Sequence, residues 1–89
     1  MTKKILIIED EPDIRKTLVY NIAREGYDVT TASSLSEGKQ HIDLASFSLV
    51  ILDLMLPDGS GLDLCRDIKS DANKSNIPII ILTAKDDEV

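Results

Sequence analysis

The stretch that decides the fold is Leu49–Leu62, LVILDLMLPDGSGL. Leu49 to Leu52 form an unbroken apolar run. Such a run reads as a strand buried on both faces, as a parallel sheet demands. Asp53 ends it and interrupts an otherwise apolar octet, Leu49–Leu56. Burying a lone carboxylate is costly, so Asp53 has either a structural task, such as capping, or a chemical one. Pro57-Asp58-Gly59-Ser60-Gly61 carries strong turn chemistry and is expected to be a loop. Leu62–Lys69 then reads as a helix with Leu64, Cys65 and Ile68 facing inward.

Upstream, Ile5–Ile8 is another continuous apolar run, ended by Glu9-Asp10-Glu11-Pro12. Asp13 is expected to cap a helix with Ile14, Leu18 and Ile22 on one stripe. Gly26 is expected to stop that helix at its C′ position. Tyr27–Ala32 alternates and is β-rich, a second strand. Ser34 or Ser36 starts a second helix that runs to about Ala45 on sparse apolar positions, Leu35 and Ile42. Downstream, Asp71–Asn76 is a polar linker and Pro78–Leu82 a fourth strand, closed by Thr83. Strands alternating with helices, β-α-β-α-β-α-β, imply parallel pairing and right-handed crossovers.

The totals agree with one small α/β domain. The chain has 89 residues, and a chain of this size buries only roughly 60–65% of its unfolded surface. It is 43% hydrophobic and 29% charged, a soluble globular composition. With 3% aromatic residues and no Trp, the core is expected to be aliphatic, built mainly of Ile, Leu and Val. A net charge of −6 argues against nonspecific binding to nucleic acid or anionic membrane. Cys65 stands alone and cannot form an internal disulfide, which suits a reducing compartment. Met1-Thr2-Lys3-Lys4 runs straight into a strand with no signal-peptide pattern. Ile77–Leu82, interrupted by Pro78, is too short to span a bilayer. A cytoplasmic location is expected.

In open parallel sheets, sites form beyond the carboxyl ends of the strands. Here those ends carry Glu9-Asp10, Asp53 and Thr83-Ala84. If the first, third and fourth strands are neighbours, three carboxylates and a hydroxyl converge. Clustered carboxylates share a proton or bind a cation, and hard oxygen ligands favour Mg²⁺. Mg²⁺ would shield Asp53 from the charge of an incoming phosphoryl group, and an Asp carboxylate can act as a covalent nucleophile. Each residue alone has a plainer reading. Glu9-Asp10-Glu11 can simply start a helix, where acids suit the dipole. Thr83 is an ordinary strand residue, Cys65 a small packing residue, and His41 a solvated residue on a polar helix. A phosphatase with an Asp nucleophile would want a second Asp two residues later, where this chain has Met55. It is the combination that is specific.

Ile5–Pro12 (ILIIEDEP), Leu49–Leu62 and Ile77–Ala84 (IPIIILTA) together resemble the receiver domains of two-component response regulators. The resemblance spans the whole chain, and Leu52–Leu62 is most similar to the winged-helix transcription-factor subfamily. It implies a flavodoxin-like, doubly wound parallel sheet with strand order 2-1-3-4 over this segment. It implies Asp53 as the phosphoacceptor, with Asp10 and Asp53 as direct Mg²⁺ ligands. Glu9 would act through water and Met55 through its backbone carbonyl. The backbone amides of Met55 and Ala84 would meet the phosphoryl group, and Thr83 would be the switch hydroxyl. The implied donor is a histidine kinase. The module is not expected to be a turnover enzyme or to bind membrane. Nucleic acid would be bound by a separate output domain of the parent protein, not by this segment.

Receivers of that family continue with a fourth helix, a fifth strand and a fifth helix, and with a lysine and an aromatic switch residue on strand five. Residues 1–89 are therefore expected to be the N-terminal portion of such a domain. Lys85 directly follows the Thr83-Ala84 pair and is expected to point to solvent rather than replace that lysine. The expected consequences are impaired phosphorylation, an open edge on the fourth strand and an uncovered apolar face, with self-association through one of them. A non-signalling interaction fragment is the alternative.

Overall fold

The apolar runs become the centre of a sheet. A computed structural model describes residues 2–82. The elements are β1 (Lys4–Ile8), α1 (Pro12–Ala23), β2 (Asp28–Ala32), α2 (Leu35–Leu44), β3 (Leu49–Asp53), β4 (Met55–Leu56), β5 (Gly59–Ser60), α3 (Gly61–Ser70) and β6 (Ile79–Leu82). The main sheet is parallel throughout with order β2-β1-β3-β6. This is the expected 2-1-3-4 order, β6 being its fourth strand.

Alternation divides the sheet between two cores. Leu6, Ile8, Val50 and Leu52 face α2 and α3, where Ile42, Phe47, Leu56, Leu64 and Ile68 close around them. Ile5, Ile7 and Ile51 face α1, which covers them with Leu18, Val19 and Ile22. Ile14 is half-buried but lies outside that cluster, so Val19 takes the place expected of it. Cys65 is half-buried and packs on the first core.

Four local expectations are corrected. Glu11, not Asp13, caps α1, because Pro12 takes the first helical position, where its fixed φ fits and no N–H is needed. Gly26 does end the turn in a left-handed conformation (φ 94°), but it lies two residues beyond the C-cap Arg24, not one. The segment after Asp53 is not a plain loop. Met55 and Leu56 pair antiparallel with Ser60 and Gly59 around the two-residue turn Pro57-Asp58. Burial of Leu56 draws the first arm inward, and Ser60 caps α3, which begins one residue early at Gly61. β6 starts after Pro78, which accepts a bond from Val50 N–H but has none to donate.

The start of α2 is tied down from two directions. Ser34 is the N-cap, and its Oγ accepts from Glu37 N–H at 3.2 Å. Glu37 Oε1 accepts from Ser33 N–H at 2.9 Å, a capping box reaching one residue further back. Asp58 Oδ1 and Oδ2 accept from Leu35 N–H at 2.8 Å and Ser36 N–H at 3.0 Å. The Leu35 and Ser36 N–H bonds hold the Asp58 carboxyl below its ordinary 3.8, and the Ser33 N–H bond holds Glu37 below its ordinary 4.5. A lowered folded-state pKa contributes stability that is present above the unfolded value and lost as pH falls through the folded value. Stability should therefore fall on acidification below these ordinary values. The fall should be shallower in an Asp58→Asn, Glu37→Gln double variant, as urea denaturation across the acid range will show.

Candidate functional site: an acidic crevice at the sheet's switch point

The chain leaves β1 towards β2 on one side of the sheet and returns to β3 on the other, so the β1/β3 boundary is a topological switch point. Their register sets Ile8 beside Leu52. One step further, Glu9 and Asp53 stand side by side at the carboxyl ends. Glu9 N–H extends the β1 ladder to Ala32 O at 2.9 Å. Glu9 is 2% and Asp53 5% exposed, while Asp10 lies at the solvent side. One carboxylate oxygen from each of Glu9, Asp10 and Asp53 lies within 4.8 Å of the others.

Among the described residues, the surroundings fix the backbone and give the charges no counter-ion. Arg15, on α1, points its Nη1 at the carbonyl oxygens of Glu9 (2.8 Å) and Asp10 (3.3 Å), not at the carboxylates. Among the described residues none of the three carboxylates is in a salt bridge. Burial pushes the Glu9 carboxyl above its ordinary 4.5. The Glu11 N–H on Glu9 Oε2 (3.0 Å) opposes that rise, and the neighbouring Asp53 charge adds to it. Two buried carboxylates and an exposed third, all oxygen donors, fit a hard divalent cation such as Mg²⁺.

Met55 N–H donates to Asp53 Oδ1 at 3.2 Å, so this amide stands at the Asp53 carboxylate, while the Met55 side chain is exposed. Thr83, Ala84 and Lys85 lie outside the described residues. His41 sits in the last turn of α2, half-buried and not fully solvated. It is not part of the acidic cluster. Three residues of the site's frame escaped the sequence reading. Nothing in the local sequence marks Arg15 out from the other polar residues of α1. Asp58 looked like a turn residue, and its partners are 23 and 22 positions away. Gly61 was read only as turn chemistry. A Cβ there would collide with the carbonyl oxygen of Asp53, so only glycine lets α3 start against the Asp53 backbone.

Repulsion within the crevice should be measurable. In metal-free protein, Asp53→Asn should raise stability, because it removes one of the three converging like charges. The same change should abolish the rise in Tm on adding Mg²⁺. Thermal denaturation with and without the cation checks both.

The comparisons with known proteins agree with this geometry. The family model for the response regulator receiver domain matches residues 5–89. The alkaline phosphatase synthesis transcriptional regulatory protein PhoP of Bacillus subtilis strain 168 is 42% identical over 88 residues. That match covers 99% of this chain, which spans 36% of the relative's length. The response regulator TrrA from Thermotoga maritima, solved in complex with Mg²⁺ and BeF, is 37% identical with a TM-score of 0.86. The alignment covers 93% of this chain and 70% of that one. The non-phosphorylated HemR receiver domain from Leptospira biflexa is 33% identical with a TM-score of 0.85, over 98% of this chain and 68% of that one. No helix among the described residues is long and apolar enough to cross a membrane. With its 2-1-3-4 parallel sheet and its acidic crevice at the switch point, the chain belongs to the response regulator receiver domain family.

Proposed function

We propose that Asp53 accepts a phosphoryl group from the phosphohistidine of a histidine kinase, in a Mg²⁺-dependent transfer. The observation that carries this reading is the convergence of Glu9, Asp10 and Asp53 oxygens at the switch point without a cationic partner among the described residues. Asp10 and Asp53 would hold the ion directly, Met55 through its backbone carbonyl and Glu9 through water. When bound, Mg²⁺ supplies charge neutralisation between the carboxylates and the incoming phosphoryl group. An ionised carboxylate needs no general base. An Asp53 oxygen forms the new bond to phosphorus as the donor's P–N bond breaks, and that electron pair stays on the donor imidazole. The Met55 amide, already beside Asp53 Oδ1, would then meet the phosphoryl oxygens. We assign Thr83 the hydroxyl that follows the phosphoryl group, and Ala84 a second amide. The module takes part in its own transfer and does not turn over.

The likeness to PhoP supports a role in transcriptional control, exerted through an output domain. We take residues 1–89 as the N-terminal portion of a cytoplasmic receiver, in keeping with the 70% of the TrrA chain that the alignment covers. Uptake by the 89-residue chain should be slow. Incubation with acetyl phosphate and Mg²⁺ should give the mass gain of one phosphoryl group, lost in Asp53→Asn or with EDTA. No gain and no Mg²⁺ binding at saturating donor would favour a non-signalling interaction fragment.

Self-association is the second part of the proposal. Among the described residues nothing pairs with the outer edge of β6, and Ile80 is half exposed. On the α1 side a groove of about 500 Å³ is lined by Ile5, Ile22, Leu49, Ile51, Tyr27 and Ile80. An open edge and an uncovered apolar face are both association surfaces. Sedimentation velocity of the 89-residue chain at micromolar concentration should show a concentration-dependent dimer or larger species. A compact monomer throughout would refute this part alone.

A further inference from the structure

Asp58 stands at the tip of the β4–β5 hairpin, and its carboxylate reaches across to α2. The N–H groups it accepts from, those of Leu35 and Ser36, are the first two of the helix. Such groups have no partner inside their own helix. Ser34 takes the third, from Glu37. The start of α2 is therefore shared between a residue of its own and a residue of the loop that follows Asp53.

The hairpin has only two residues per arm, with Met55 facing Ser60 and Leu56 facing Gly59. Its base is held by Gly61 N–H on Leu54 O at 2.7 Å, and its first arm carries the Met55 N–H bonded to Asp53 Oδ1. Buried Leu56 anchors the first arm to the core, and Asp58 supplies the attachment at the tip. Its bonds are charge-assisted and engage both oxygens, which fixes direction as well as distance. The residue is exposed, so solvent screens these bonds and their contribution to global stability is modest. What they add is geometry.

We propose that Asp58 is a positioning residue of the acceptor site: by gripping the first two amides of α2 it keeps the Met55 backbone beside Asp53. This rests on the acceptor reading above, and the test separates the two. Mg²⁺ titrations followed by ¹⁵N amide shifts compare the unaltered protein with Asp58→Asn and Ser34→Ala. Asp58→Asn offers one carbonyl oxygen in place of two charged ones. It should lower Mg²⁺ affinity by about three- to tenfold, less than the roughly 10–100-fold typical of partners bonded directly to metal ligands, and should move the Met55 amide resonance even without Mg²⁺. Ser34→Ala loosens the same helix end without touching Asp58, and should lower Tm while leaving Mg²⁺ affinity unchanged.

Unchanged affinity with an unmoved Met55 resonance in Asp58→Asn overturns the proposal. So does an equal loss of affinity in both variants, since a loosened α2 would then suffice. Coupling is reciprocal, so in the unaltered protein Mg²⁺ should slow hydrogen exchange at Leu35 and Ser36. Exchange that Mg²⁺ does not alter overturns the proposal even if Asp58→Asn fails to fold. An unaltered protein that binds no Mg²⁺ would defeat the acceptor reading itself, and this proposal with it.

Discussion

The parallel pairing of β1 with β3 is the constraint on which the rest depends. Ile8 lies beside Leu52, and continuing that register by one residue brings Glu9 to Asp53. The side chains that enforce it are Leu6, Ile7, Ile8, Val50 and Leu52, all with no exposed surface. Each contributes roughly 1.5–3 kcal/mol by burial. Repulsion between two like charges about 4 Å apart near a protein surface is on the order of 4 kcal/mol. The summed burial of these five side chains exceeds it, so the fold can hold like charges together. A slip of one residue would turn each strand's side chains to the opposite face and would part the acids.

The crevice separates support of its backbone from neutralisation of its charge. Arg15 is spent on the Glu9 and Asp10 carbonyls, and Glu11 N–H on Glu9 Oε2. These contacts fix where the acids stand. Among the described residues they leave the carboxylates without a cationic partner, an arrangement compatible with a divalent cation. Gly61 completes the frame by allowing α3 to begin directly against the Asp53 carbonyl.

The two faces of the sheet are finished to different degrees. On the α2/α3 face ten buried residues form one cluster. On the α1 face Ile5, Ile7 and Ile51 are the buried ones among the described residues, and α1 itself has no fully buried residue. The acidic crevice belongs to the strand ends between these faces. The hairpin after Asp53 leans on the better-packed side through Leu56 and through Asp58's hold on α2.

By itself the sequence determined the strands, the alternation with helices and the acids at the strand ends. These are local matters: continuous aliphatic runs, turn chemistry, and a carboxylate where the chain otherwise avoids charge. The motif Leu52–Leu62 also carried the family. Helix starts were legible where a serine could cap, as at Ser34, and misplaced where a proline took the first position, as at Pro12. Only the tertiary structure decided that Glu9 is the deepest of the three acids, that Arg15 serves carbonyls and not carboxylates, and that Pro57-Asp58 turns a hairpin whose aspartate caps a distant helix. The reason is physical. Burial, hydrogen-bond partners and close approach across 22 or 23 positions are properties of the packed chain, and no local pattern of residue types specifies them.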